Sequence, residues 1–414
     1  MKAYPEYKAS GVDWIGTIPS HWACHKLKYH ISISNGSDPK TEGDIPVYGA
    51  GELPFKTCGE YKDGPTVLLG RKGSVEIPHW VEGLYWNVDT AFDTKVKKDF
   101  SIRYFWYISN CLEINQYKSS TAVPSMTQSA YDNMLIPVPE IEEQILIAEY
   151  LDNVITKIDV LVAEKQVQIE DLRKYRTSLI TEAVTNGLNP DVPRRQSGIA
   201  LIGNIPEHWD LSKFKFSLRE IKDGTHFSPD TTTDGYPYVT ATDVRGIGIN
   251  YEATKKVGRE DFTKLVQSGC EIYKDDVLLV KDGATTGRVG MKVDDTPAVT
   301  LSSVAMLRTK ADSIPKFFFY FLQSSIIQNQ ISIAMAGAAM PRITLEKLGN
   351  FIALIPPLDE QRQIAEYLDE KTAKIDALID ELTQQLDELA LYRKAVISEA
   401  VTGKVDVRDW KPED

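Results

Sequence analysis

Cysteine is scarce in this chain. The four residues, Cys24, Cys58, Cys111 and Cys270, are scattered over 414 positions and form no Cys-x-x-Cys pair. That excludes a disulfide framework and a zinc ribbon, and reads as free thiols in a reducing compartment. Long apolar runs are also lacking. The strongest, FFFYFL at 317–322, is far too short to cross a bilayer. The start, MKAYPEYKAS, has no apolar stretch behind its lysine and so does not read as an export signal. The expectation is a cytoplasmic protein with no membrane contact.

Catalytic motifs are missing as well. An enzyme moving methyl groups from S-adenosylmethionine to adenine needs a Gly-rich cofactor loop and an Asn/Asp-Pro-Pro-aromatic motif, and neither occurs. GATTGR at 283–288 lacks the spacing and the Lys-Ser/Thr of a phosphate loop and reads as a turn between strands. His21 and His25 stand at helical spacing for zinc, but a second copy of this stretch keeps only His208 and has Ser212 in the other place. Asp230 has no following strand that would complete a nuclease site. No catalytic residue, metal ligand or cofactor is expected. A formal charge of −12 and a pI near 5.2 also speak against non-specific coating of a polyanion.

What the chain does have is duplication. Residues 139–185 align without a gap on 356–402. Pro139 falls on Pro356, Glu143-Gln144 on Glu360-Gln361, IAEYLD at 147–152 on IAEYLD at 364–369, and Lys157-Ile158-Asp159 on Lys374-Ile375-Asp376. Tyr175-Arg176 falls on Tyr392-Arg393, and EAVT at 182–185 on EAVT at 399–402. Upstream, IGTIPSHW at 15–22 is repeated as IGNIPEHW at 202–209, but at a shift of 187 rather than 217. The order is therefore leader, insert, helix, twice over, with the second insert about 30 residues longer.

Residues 141–186 and 358–403 have the composition and spacing of long helices, each about 70 Å at 1.5 Å per residue. An apolar seam runs through Leu151, Val154, Ile158, Leu161, Leu172, Tyr175 and Leu179, and through Leu368, Ile375, Leu378, Leu382, Leu389, Tyr392 and Val396. A narrow stripe on so long a helix needs a partner, and the nearest is the other copy. Gln168 and Gln385 occupy the same seam position; in an antiparallel pair they would meet near the midpoint and set register, or else lie solvated at its edge.

The inserts, 27–139 and 214–356, are rich in turn residues and short strand-like runs. They share an outline and few side chains, as one scaffold used for two different targets would. Lys and Arg against Asp and Glu come to 14 and 15 in 1–139, 5 and 10 in 140–190, 20 and 19 in 191–356, and 8 and 15 in 357–414. The acidity belongs to the helices.

This ordered duplication, with its IG-x-IP-x-HW leader, P-x-x-EQ-x-x-I-AEYLD helix start, KID segment and YR…EAVTG helix end, resembles the specificity (S) subunit of Type I restriction-modification systems. The resemblance covers essentially the whole chain. It implies an α+β fold: two mixed α/β target recognition domains joined by two long helices in an antiparallel coiled coil, pseudo-two-fold symmetric. The parts would be 1–139 (first recognition domain with leader), 140–190 (first spacer helix), 191–356 (second recognition domain with leader) and 357–414 (second spacer helix and tail). It further implies double-stranded DNA, two methyltransferase subunits and two restriction subunits as partners, each recognition domain reading half of a split site, and no catalysis by the chain itself. Methyltransferase subunits closing on DNA would supply the missing positive charge. Arg, Lys and small polar loop residues are the usual base readers. The candidates are Lys40, Arg71, Lys72 and Lys118 in the first insert, and Lys222, His226, Lys281, Thr285, Thr286, Arg288 and Arg342 in the second.

Overall fold

The computed structural model describes residues 2–119, 122–200, 202–335 and 341–412. The chain divides into two compact units, one of residues 1–166 with 383–414, the other of residues 167–382. Each unit therefore joins one insert to part of both long helices, Ile141–Asn186 and Leu358–Val401.

In the first unit the insert is closed by a two-stranded antiparallel ladder, Ala23–Lys26 against Leu135–Val138, and Leu27 N–H donates to the Met134 carbonyl at 2.8 Å. Beyond it lie two four-stranded sheets. One runs Ile31–Asn35, Ala91–Val96, Thr66–Gly70, His79–Val81, antiparallel throughout. The other is centred on the parallel pair Ile45–Tyr48 and Leu84–Asn87. The second unit repeats this plan. Asp210–Lys213 pairs with Ile352–Ile355, and Phe214 N–H donates to the Phe351 carbonyl at 2.8 Å. One five-stranded sheet contains Leu218–Asp223, Val304–Thr309 and Val277–Val280 in that order, and the other holds the parallel pair Tyr236–Val239 and Ala298–Thr300. The longer second insert also carries the helix Arg259–Gln267.

The duplicated motifs bind each insert to the helices. Glu143 accepts from the Trp22 indole at 3.0 Å and the Tyr4 hydroxyl at 2.7 Å, with His21 Nε2 at 3.0 Å. Glu360 does the same for Trp209 at 2.9 Å and His208 at 2.6 Å. Gln144 accepts from the backbone N–H of Ser101, the N-cap of the aromatic helix Ile102–Ser109, and donates to the Pro139 carbonyl. Gln361 repeats both bonds with Ile314, which precedes the helix Pro315–Gln323, and with Pro356. In IAEYLD, the Ile, Ala and Leu of both copies are buried. The final carboxylates hold the aromatic helices: Asp152 pairs with Arg103 and Tyr107, Asp369 with Lys316 and Tyr320. At the far end of each helix a glycine at positive φ, Gly187 or Gly403, lies under the leader tryptophan of its unit, where a Cβ would stand 3.2 Å from Trp209 or 3.1 Å from Trp22.

The helices run antiparallel within each unit. Asp159 pairs with Arg393 at 3.3 Å and Lys165 donates to Gln385 in the first, while Arg176 forks onto Asp376 at 2.8 and 3.2 Å in the second, one number rising as the other falls. The KID aspartate of one helix thus meets the YR arginine of the other, in both units. The seam is less regular than its spacing predicts. Leu151, Ile158, Leu368, Ile375 and Val396 are buried, but Leu161, Tyr175, Leu378 and Tyr392 are exposed. A straight helix has 3.6 residues per turn, so a seven-residue stripe drifts off a single contact line. Gln168 is exposed; Gln385 is half-buried and its amide oxygen takes the Lys165 ammonium.

Among the described residues no helix is long and apolar enough to cross a membrane, and no group of three or more His, Cys, Asp or Glu is placed to hold a metal ion.

Candidate nucleic-acid interface

In both inserts a central strand runs into a loop that is stitched to the exit segment by the same backbone bonds. Thr66–Gly70 leads into Arg71, whose N–H donates to the Thr90 carbonyl at 2.8 Å. Gly73 N–H donates to the Pro124 carbonyl, and Met126 N–H to that of Arg71, both at 2.9 Å. In the second insert Val277–Val280 leads into Lys281, whose N–H donates to Ser303 at 2.8 Å. Gly283 N–H then donates to Pro341 at 2.9 Å, and Ile343 N–H to Lys281 at 2.8 Å. Arg71 and Lys281 therefore hold equivalent places. So do the bridged pairs Lys72–Ser125 and Asp282–Arg342. The frame is constant and the side chains mounted on it are not.

Three of the second insert's predicted residues, His226, Lys281 and Arg342, are linked here. An alternating chain of charge runs from His226 to Asp223 at 3.8 Å, Asp223 to Lys281 at 3.3 Å, Lys281 to Asp282 at 2.9 Å, and Asp282 to Arg342 at 3.2 Å. Its ends are exposed, His226 by 70% and Arg342 by 62%. Its centre is not. Lys281 is 3% exposed, so the expectation that it reads a base is corrected: two carboxylates, Asp223 on another strand and Asp282 on its own loop, draw its ammonium inward. Thr285, Thr286 and Arg288 are half-buried on the same loop, Thr286 donating to the Gly283 carbonyl at 2.7 Å and Arg288 N–H donating to Thr285. Lys222, on the strand Leu218–Asp223, is 45% exposed and 3.8 Å from Glu220.

In the first insert Arg71, Lys72 and Lys118 come together and Lys40 does not. The Arg71 guanidinium donates to the Asp89 carbonyl at 3.0 Å and lies over the Phe92 ring at 5.9 Å; Lys72 stands 3.8 Å from the Asp89 carboxylate. Lys118 pairs with Glu76, and the adjoining Ser119 N–H donates to the Ser125 carbonyl. Lys40 is exposed on another loop, tied by its N–H to Glu60 at 2.7 Å.

Other cations in the second insert are structural. Arg308 is 9% exposed, held by Asp276 at 3.0 Å and by Glu220, and stacked over the Tyr273 ring at 4.2 Å. Burial raises the Asp276 carboxyl above the usual range while Arg308 pulls it down. Sequence reasoning selected the cations and missed Asp89, Asp223 and Asp282, which orient them. The available signal was the similarity of the exits VPSMT at 123–127 and MPRIT at 340–344, which the backbone bonds make equivalent.

A family model for the Type I restriction modification DNA specificity domain matches residues 26–171 and 208–388. The chain is 26% identical over 389 residues to the Type I restriction enzyme MjaVIII specificity subunit of Methanocaldococcus jannaschii, covering 92% of this chain and 83% of that one. It is 22% identical over 386 residues to the EcoBI specificity subunit of Escherichia coli, covering 90% and 79%. Among solved structures, a chain from a study of complex assembly in a type I restriction-modification system superposes with a TM-score of 0.69 at 15% identity, over 94% of this chain and 99% of that one. The chain belongs to the Type I restriction modification DNA specificity family.

Proposed function

We propose that the chain is the non-catalytic DNA-specificity subunit of a cytoplasmic Type I restriction-modification complex. Each insert reads one half of a bipartite, asymmetric duplex site. The paired helices set the gap and dock two methyltransferase subunits, and two restriction subunits complete the assembly. One observation carries this reading: two recognition loops share a backbone frame and present different side chains, Lys72 and Ser125 on one and Asp282 and Arg342 on the other. Shared geometry gives both inserts the same approach to a groove, and the changed side chains give different sequences. Acidic helices leave the phosphate charge to be met by partners.

The test is a graft. The graft takes the inserts as 27–134 and 214–351, the segments between the strands of each closing ladder. Residues 27–134 are replaced by a second copy of 214–351, the chimera is expressed with its methyltransferase, and methylated sites are mapped genome-wide. The expected mark is an interrupted palindrome of the second half-site. An active chimera that still marks two unlike half-sites would refute the assignment of one half-site to each insert.

A further inference from the structure

The charge chain of the second insert ends on an arginine whose seat is built from below. Lys281 is buried between Asp223 and Asp282, and two carboxylates compensate the desolvation of its ammonium. Asp282 is thereby fixed on one side. Its Oδ1 is shielded from water and makes no hydrogen bond of good geometry, and the Nε of Arg342 stands 3.2 Å from it. A small rotation turns that ion pair into an Nε–H···O bond. An arginine held through Nε keeps both terminal amino groups for a partner, in a plane that the carboxylate sets. Two parallel donors on an exposed side chain match the O6 and N7 acceptors that guanine shows in the major groove, and no other base presents two acceptors there.

The geometry points to Arg342 as a guanine reader for the second insert's half-site, with Asp282 as its buttress and Lys281 as a buried positioning residue. This rests on the DNA-reading function proposed above. The first insert lacks the device. Its equivalent of Arg342 is Ser125, and the guanidinium of Arg71, at the place of Lys281, is turned to the Asp89 carbonyl. The two half-sites therefore differ at this position.

The experiment uses the full chain with its methyltransferase. Methylated sites are mapped for wild type, Arg342→Ala and Lys281→Met, and duplexes of the mapped target are tested with 7-deazaguanine at each guanine of the second half-site. Arg342→Ala should relax one guanine position, with roughly a 10- to 100-fold loss of discrimination. The first half-site should stay unchanged, which also reports that the variant is folded. Lys281→Met should relax the same base, although Arg342 is still present. 7-Deazaguanine at that base should weaken the wild type and leave Arg342→Ala unaffected. Undiminished discrimination in Arg342→Ala, or a uniform loss over all sequences, would overturn the assignment; the latter would make Arg342 a phosphate contact. Intact discrimination in Lys281→Met would remove the positioning role. A wild-type complex that marks no defined sequence would instead sink the DNA-reading function itself.

Discussion

Replacing Glu143 by alanine should damage the first unit more than its repeat partner, Glu360, damages the second. Glu143 has a side chain 8% exposed and receives two buried donors, the Trp22 indole and the Tyr4 hydroxyl, with His21 at the rim. Trp22 is fully buried and Tyr4 is 3% exposed, so water cannot replace the lost acceptor. Burial and the bond to Glu143 already drive the Tyr4 hydroxyl far above its ordinary pKa, as a donor locked to a carboxylate should be. Each orphaned donor costs about 1–3 kcal/mol, and relief of the buried carboxylate's own desolvation offsets part of the sum. The net loss should be about 3 kcal/mol. Glu360 is 34% exposed and, among the described residues, receives no counterpart of the Tyr4 bond. Trp209 is itself 1% exposed, but the space vacated by the more exposed Glu360 opens to solvent, so a water can take the indole donor and the loss there should be about 1 kcal/mol. Urea titration gives the totals, and hydrogen exchange on peptides spanning 15–27 and 202–214 assigns each loss to its leader. Equal losses, or a Glu143→Ala protein within 0.5 kcal/mol of wild type (about the scatter of a surface substitution), would show that the leader is held by apolar packing alone.

The drift of the helix seam gives a second expectation. Leu151→Ala and Leu368→Ala, both fully buried, should each cost roughly 2–5 kcal/mol, whereas half-buried Leu172→Ala and Leu389→Ala should cost about 1 kcal/mol; equal shifts in urea midpoint would mean the seam is evenly packed after all. A third concerns pH. Burial, with His25 stacked at 5.2 Å and Lys97 nearby, lowers the His30 pKa, so folding favours neutral His30. Its contribution is complete above the unfolded value of about 6.5 and is lost as pH falls through the lower folded value. Stability of the first unit should fall on acidification below about pH 6.5, and His30→Phe should flatten that slope; an unchanged slope would assign it to other groups.

The long helices were legible because their information is local. Composition, spacing and the absence of breakers mark residues 141–186, and the structure begins and ends the helix there. The duplication added what one copy cannot show, since a motif written twice must have a job done twice. Its particular job was not legible: nothing in Glu-Gln says that the Glu will receive a tryptophan from the leader and the Gln will cap an aromatic helix, because those partners lie far off in sequence. The loops that follow Thr66–Gly70 and Val277–Val280 fail in the same way and for a sharper reason. KDGATTGR announces charge, but whether Lys281 points out to a ligand or in to the fold depends on Asp223, at the end of a different strand. Charge is a property of a residue, whereas direction belongs to a pair. A rule that picks loop cations therefore takes exposed Arg342 and Lys72 together with buried Lys281, and cannot tell a cation that holds the loop together from one that faces solvent. The direction is written in the carboxylates: an arginine keeps a fixed plane only where an acceptor stands behind it, as Asp282 stands behind Arg342.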